Sequence, residues 1–196
     1  MNSAFIHSRQ RPGLMSRLRL CVLAGLLMIG LPAARAQPAG TKEYQIKAAF
    51  LYNFTQFVDW PTNSFASADS PLTIGVMGND PFGDSLNDIV RGEKVNGHPL
   101  VVKHFQPGEE LKDCHILFIS QSESRRLNDI FTGLKGHCIL TVGETEGFAQ
   151  DGGIIRFLTE KNKIRLRINV DAAKAANLNM SSRLLKLAEI VGTQKE

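Results

Sequence analysis

Short apolar runs alternate with helical patterns through the middle of the chain, and this alternation constrains the fold more than any other feature. The runs lie at residues 72–77, 115–119 and 138–142. A strand that is apolar on both faces is typical of a buried sheet, and parallel pairing requires long crossovers, usually helices. The pattern therefore predicts an α/β fold: a three-layer α/β/α sandwich with a mainly parallel sheet.

Helical periodicity is clearest at residues 44–58, where apolar side chains recur at spacings of three and four. The predicted apolar face consists of Ile46, Ala49, Phe50, Phe54, Phe57 and Val58, and Trp60-Pro61 should end the helix. A further helix is predicted at the end of the chain, over residues 181–191.

An antiparallel hairpin is predicted near the C-terminus, because residues 154–158 and 164–168 flank a turn-like sequence at 160–163. Pairing Phe157 with Leu166 places the apolar side chains on one face. The sheet is therefore expected to be mainly parallel with a C-terminal antiparallel hairpin.

The same pairing brings positive charges together on the other face of the hairpin. Arg156 lies opposite Arg167, and Arg165 lies opposite Leu158. Like charges directly opposite each other are destabilising unless a negative group lies between them. These arginines are candidate partner-binding residues for an anion or an acidic partner. The alternatives are a solvated face, or neutralisation by carboxylates from a packing helix.

The N-terminal 36 residues have the pattern of a secretory signal peptide. Arginines precede an apolar stretch at residues 20–31, and Ala34-Arg35-Ala36 supplies a small-x-small cleavage motif. As a helix this stretch spans about 18 Å, too short for a hydrocarbon core of about 30 Å. We expect cleavage after Ala36 and a single domain over residues 37–196; the alternative is an uncleaved anchor.

The positive charge of the chain belongs mainly to this segment. The whole sequence has a formal charge of +4, but residues 1–36 hold five arginines and no acidic residue. The remaining residues carry 18 basic and 19 acidic groups. A general attraction to nucleic acid or to anionic membrane therefore has little support.

Two cysteines, Cys114 and Cys138, remain after the expected cleavage. Each lies six residues before the polar end of its predicted strand, so the two are in register if the strands are parallel neighbours, about 4.8 Å apart. A disulfide is possible at that spacing, and export favours its formation. The alternative is two buried free thiols.

No constellation for catalysis or metal binding stands out. The glycines after the first strand lack the lysine of a P-loop, and no G-x-S-x-G elbow occurs. Cys114-His115 and His137-Cys138 could surround a zinc ion, but adjacent residues on a strand point to opposite faces. We therefore expect no enzyme, metal or cofactor.

Several segments together resemble the YfiR family. The sequence YQIKAAFLYNF at residues 44–54, continued by FVDWP at 57–61, is similar to its opening signature. CHILFIS at 114–120, ILTVG at 139–143 and SSRLL at 181–185 resemble later family segments in the same order. The resemblance covers nearly all of the chain from residue 44 to residue 191.

This resemblance implies a small periplasmic α/β/α protein that is not an enzyme. Its implied role is to bind and repress the periplasmic sensor part of an inner-membrane diguanylate cyclase, which lowers cyclic di-GMP signalling and biofilm formation. It also implies a homodimer and an outer-membrane lipoprotein that sequesters the repressor. The namesake has more cysteines than this chain, so its disulfide pattern does not transfer whole.

Partner surfaces in this family use apolar and aromatic side chains, which makes Phe54, Phe57 and Trp60 candidate partner-binding residues. Their helical spacing also fits ordinary core packing, and Trp60, next to Pro61, is expected to be the most exposed. An alternative function is a small-molecule sensor or carrier, with a crevice at the carboxyl ends of the strands near Asn79, Ser120 and Glu144.

Overall fold

The computed structural model describes residues 39–192, except Pro107 and Lys112. The predicted signal peptide and its cleavage after Ala36 lie outside these residues, so the domain boundary at residue 37 stays a prediction. Within the described range, no helix combines the length and the apolar character that crossing a membrane requires.

Helices and strands alternate through the first two thirds of the described chain. The α-helices are α1 (Ala39–Phe57), α2 (Asp84–Val90), α3 (Leu127–Gly133), α4 (Val170–Ala175) and α5 (Ser182–Leu185). The strands are β1 (Val58–Asp59), β2 (Leu72–Met77), β3 (Lys94–Val95), β4 (His98–Phe105), β5 (Ile116–Ile119), β6 (Leu140–Gly143), β7 (Ile155–Glu160), β8 (Lys163–Asn169), β9 (Asn179–Met180) and β10 (Ala188–Val191). Short 3₁₀ helices occupy Thr62–Ser64 and Gln121–Arg126.

Eight of these strands form one sheet in the order β10-β8-β7-β6-β5-β2-β4-β3. Its pairs are parallel except β7 with β8 and β3 with β4. The strands β1 and β9 form a separate antiparallel pair. The predicted α/β class and the mainly parallel sheet are confirmed.

Each face of the sheet has its own apolar cluster, which explains why the central strands are apolar throughout. In β5, Ile116 and Phe118 enter a cluster with side chains of α1, α2, α4 and α5. The alternate residues Leu117 and Ile119 enter a second cluster with Leu127 of α3. Successive strand residues point to opposite faces, so a strand between two helical layers has no polar side.

The helix α1 ends near its predicted limit but begins five residues before the predicted start at Tyr44, and the face that it buries is rotated from the predicted one. Ile46 is 43% exposed, whereas Lys47, Ala48 and Leu51 are buried. Apolar spacing alone predicts that a lysine lies on the solvent-facing side of a helix. Here Lys47 lies inside because it forms ion pairs with Glu43 and Glu144.

The C-terminal hairpin has the predicted register. Phe157 pairs with Leu166, and Arg156 pairs with Arg167. The side chains of Phe157 and Leu166 are buried in the first cluster, as the alternation of apolar residues requires.

The closing helix predicted over residues 181–191 is wrong. Only Ser182–Leu185 is α-helical, and Ala188–Val191 forms the edge strand β10, parallel to β8. Leu, Lys, Ala and Glu favour a helix locally, but pairing with the open edge of β8 outweighs that preference.

Candidate functional site

The outer face of the C-terminal hairpin carries the positive charges that the sequence predicted. We call Arg156, Leu158, Arg165 and Arg167, together with Glu189 of β10, the arginine surface. Arg156 lies opposite Arg167, and Leu158 lies opposite Arg165. The structure therefore brings all three predicted arginines onto one face of the sheet.

A carboxylate from β10 neutralises one of these arginines. Glu189 is the register partner of Arg167. Its Oε2 accepts from Arg167 Nη2 at 2.8 Å and from Nε at 3.1 Å. One alternative for this face was neutralisation by carboxylates from a packing helix, whereas this carboxylate comes from the edge strand β10.

The other two arginines lack this neutralisation. Arg165 is exposed, and Arg156 is half-buried with its Nε shielded from solvent. Among the described residues, no carboxylate forms an ion pair with either guanidinium, and Arg156 Nε has no hydrogen-bond acceptor. A shielded donor without an acceptor is costly in a folded protein. The accessible groups that favour a negative partner are therefore the exposed Arg165 and the part of the Arg156 side chain that reaches the surface.

The aromatic candidates in α1 belong to the core. Phe54 is fully buried and stacks on Phe157 with ring centroids 6.0 Å apart. This burial corrects the prediction of Phe54 as a partner-contact residue. Phe57 is half-buried and packs against the same cluster. Trp60, also half-buried, lines a cleft at the protein surface.

Cys114 and Cys138 are free thiols in the structure, which corrects the predicted disulfide. The predicted register is right, since Ile116 pairs with Leu140 at the same offset. However, both cysteines precede the paired strands, and their side chains contribute to different clusters. Cys114 lies in the second cluster, and Cys138 packs against the first. Burial raises the pKa of the Cys114 thiol to about 12.

Three rings stack at the amino-terminal edge of the sheet. Phe65 lies between His98 and His115, with centroid distances of 3.9 Å and 4.4 Å and interplanar angles of 14° and 25°. Trp60 meets His115 edge to face, and its Nε1 donates to the His115 carbonyl oxygen at 3.2 Å. This arrangement fixes the segment between β1 and β2 onto the sheet edge.

The hydrogen bonds of the two histidines define their ring orientations. His98 Nδ1 donates to the Ser70 carbonyl oxygen at 2.7 Å. His115 Nδ1 accepts from the Thr73 amide at 3.2 Å, and its Nε2 is buried without a well-formed partner among the described residues. Burial lowers the pKa of His115, although backbone groups of Ser64 and Asp113 partly offset this effect. The His115 ring is therefore a neutral part of the stack at neutral pH.

A cleft of about 520 Å³ opens beside this stack, lined among others by Asp59, Trp60, Phe65, Asn96 and His98. Sequence reasoning singled out only Trp60 from this group. No spacing pattern in the sequence connects Phe65 with the two histidines. Only the strand register of β2, β4 and β5 brings these positions together.

The carboxyl-terminal edge of the sheet, where the sequence predicted a crevice, is occupied by side chains from α1. Glu144 Oε2 lies 2.5 Å from Lys47 Nζ, and Tyr44 donates its hydroxyl to Glu144 Oε1 at 3.0 Å. Burial, with the Glu144 charge as a second cause, raises the pKa of Tyr44 to about 12. The hydrogen bond from Lys47 lowers the pKa of Glu43, which also pairs with this lysine. Both carboxylate oxygens of Glu144 therefore bind side chains of α1.

Nearby, the backbone amide of Asn79 donates to Ser122 Oγ at 3.0 Å. The Ser120 hydroxyl caps the following 3₁₀ helix by accepting from the Ser122 amide. These polar groups hold the loops that follow β2 and β5. Within the described part of the chain, no cluster of three or more His, Cys, Asp or Glu side chains is arranged to hold a metal ion.

Comparison with known proteins supports the family suggested by the sequence segments. A family model described as YfiR/HmsC-like matches residues 44–189, which is more than half of the chain. A search of curated proteins finds no match. The matched range runs from Tyr44, which contacts Glu144, to Glu189, which neutralises Arg167. The chain therefore belongs to the YfiR/HmsC-like family.

Proposed function

We propose that this protein is a non-enzymatic periplasmic regulator that binds and represses the sensor part of an inner-membrane diguanylate cyclase. The observation that carries the proposal is the family match over residues 44–189. The N-terminal signal-peptide pattern supports export to the periplasm. In this role the protein lowers cyclic di-GMP production and biofilm formation without binding the nucleotide itself.

The arginine surface is the proposed contact for the cyclase. Arginine is enriched at protein interfaces, and its planar fork recognises carboxylates with defined geometry. Arg165 is exposed and Arg156 is half-buried, and neither forms an ion pair with a described carboxylate, so an acidic segment of the partner could pair with both guanidinium groups. Trp60 is a second proposed contact. The family role also includes a homodimer and sequestration by an outer-membrane lipoprotein.

Affinity capture from solubilised membranes tests this proposal. The tagged full chain should retain a membrane protein with a diguanylate cyclase domain, and its expression should lower cellular cyclic di-GMP. The charge reversal Arg165→Glu, combined with Arg156→Gln, should reduce capture and restore the nucleotide level.

Arg91→Glu is the matched control, since Arg91, which follows α2, is 75% exposed and does not belong to the arginine surface. Circular dichroism verifies that each variant is folded. Recovery of no cyclase under native conditions would contradict the proposed function. Equal capture by the folded arginine variants would reject the arginine surface as the contact.

A small-molecule sensor or carrier is the second candidate function. The cleft beside Trp60 favours it, because concave sites lined by aromatic and polar side chains are typical of small-ligand binding. Thermal-shift screening of the full chain against periplasmic metabolites tests this reading independently of the cyclase. A saturable increase in melting temperature would support it.

A further inference from the structure

We infer that the cleft beside Trp60 binds an organic ammonium ion, with the positive nitrogen near Asp59 and its apolar substituent against the indole. This inference rests on the second candidate function, ligand binding, and does not depend on the cyclase partner. It names the chemical class of ligand that the cleft would accept.

The charged side chains of the cleft favour a cationic ligand. Of the described residues that line the cleft, Asp59 is the acidic one, and neither lysine nor arginine is among them. Asp59 is exposed at the end of β1 and takes part in none of the described ion pairs. A cation can therefore pair with this carboxylate, whereas a phosphate or a carboxylate ligand would find neither lysine nor arginine among the described lining residues.

The aromatic surface of the cleft is provided by the Trp60 indole. Both faces of the Phe65 ring are covered, by His98 on one side and His115 on the other. The indole of Trp60 is held by its Nε1 hydrogen bond to the His115 carbonyl oxygen, and the ring lines the cleft. The indole offers a large apolar surface to the substituent of the ligand, and a ring that is already fixed binds with a smaller loss of entropy.

The size and polarity of the cleft also suit a small ammonium ion. A volume of about 520 Å³ lies within the range of small-ligand sites. Thr62, Ser67 and Asn96 are neutral polar residues of the lining, and their side-chain oxygen atoms can accept hydrogen bonds from a primary or substituted ammonium group. The combination of one carboxylate, one fixed indole and neutral acceptors fits an amine better than a neutral or an anionic molecule.

Three probes of matched shape test this inference: the 2-phenylethylammonium ion, 2-phenylethanol and 3-phenylpropionate. Trp60 is the single tryptophan of the chain, so its fluorescence reports directly on the cleft. Titration of the full chain, checked by calorimetry, should give saturable binding of the ammonium ion, tighter than that of the other two by about fivefold or more.

The variant Asp59→Asn should remove most of this preference while leaving the affinity for 2-phenylethanol unchanged. Asp69→Asn is the matched control, because Asp69 is also exposed and nearby in sequence but does not line the cleft. It should bind like the wild type.

The outcomes separate the ligand class from the ligand-binding function. Equal binding of the three probes, or a preference for the carboxylate, would overturn the ammonium class while ligand binding stands. The class would also be wrong if Asp59→Asn kept the full preference. Absence of saturable binding for every probe, by fluorescence and calorimetry, would overturn the inference, and an unchanged melting temperature across the wider metabolite screen would reject ligand binding as well.

Discussion

Lys47 of the first helix and Glu144, which follows β6, form an ion pair in which the lysine side chain is only 4% exposed. The two residues are 97 positions apart in sequence. Their contact ties the helical layer to the carboxyl-terminal edge of the sheet. Glu43 and Tyr44 complete the group, since Glu43 pairs with the same lysine and Tyr44 with the same glutamate.

Replacing this lysine should destabilise the protein strongly. Lys47→Met leaves the Glu144 carboxylate, 12% exposed, without its cation, and we expect the free energy of unfolding to fall by about 3 kcal/mol. Urea denaturation measures the change. The double variant Lys47→Met with Glu144→Leu should recover much of the loss, because no buried charge then remains.

Arg91→Met is the matched control for that measurement. Its ion pair with Asp88 has exposed partners, so little stability should be lost. If Lys47→Met and Arg91→Met had the same small effect, the buried pair would contribute no more than a surface pair.

Acid should weaken the fold through His115. The folded state lowers the pKa of this residue, so the unfolded chain binds the proton more readily. Its contribution to stability is therefore complete above the ordinary histidine value of about 6.5 and declines as the pH falls below it. The free energy of unfolding, followed between about pH 7 and pH 5, should decrease less steeply in His115→Gln than in the wild type.

Other groups titrate in the same pH range. The measured quantity is therefore the difference between wild type and variant in the slope of the free energy of unfolding against pH. His137→Gln replaces an exposed histidine and serves as the control, which should keep the wild-type slope. An unchanged slope in His115→Gln would mean that this ring does not contribute to the acid sensitivity.

The two thiols should react at very different rates. Cys114 is buried and its pKa is raised to about 12, which leaves little of the reactive thiolate, whereas Cys138 is half-buried. In native protein without residues 1–36, which contain Cys21, we expect a maleimide to modify Cys138 first and Cys114 only on unfolding. Mass spectrometry of intact protein, with Cys138→Ser as the control, measures both rates. If the unfolded, unreduced chain took up no reagent, the thiols would be oxidised.

Gly75 should not tolerate a larger side chain, because it makes room for the Cys114 sulfur. A methyl group at this position would lie 2.8 Å from Cys114 Sγ and 2.8 Å from the ring of Phe105. Gly75→Ala should therefore lower the free energy of unfolding by about 1 to 3 kcal/mol, as overpacked cores do. Gly133→Ala in α3 meets no atom within 4 Å and should cause no loss. Equal stability of the two variants would show that the strands adjust without strain.

Sequence reasoning succeeded where side-chain alternation alone determines the structure. The register of Phe157 with Leu166 follows from burying one face of a hairpin, and a shift by one residue would expose that face to water. The buried central strands were predictable for a different reason, since their apolar residues are continuous and must be covered on both faces. The closing helix failed because the good helix formers before Ile190 and Val191 continue a helical pattern, whereas the final structure depends on an unpaired edge elsewhere in the chain.

The candidate site was less predictable because it depends on which distant residues meet. Nothing local to Lys47 indicates burial, since its partner Glu144 lies on another element. Likewise, the cysteines were placed in the right register, but the faces to which their side chains turn were not determined by sequence. The stack of His98, Phe65 and His115 requires three separate segments to converge at one sheet edge.

The location of the only indole determines what optical experiments on this protein can detect. Trp60 is fixed to the His115 carbonyl oxygen at the amino-terminal edge, whereas the Lys47 ion pair lies at the opposite edge. Fluorescence will therefore detect opening of the segment around Phe65 even when the rest of the sheet is intact. Local opening around Glu144 will escape that signal, and a second spectroscopic label, placed at the far edge, is needed to follow it.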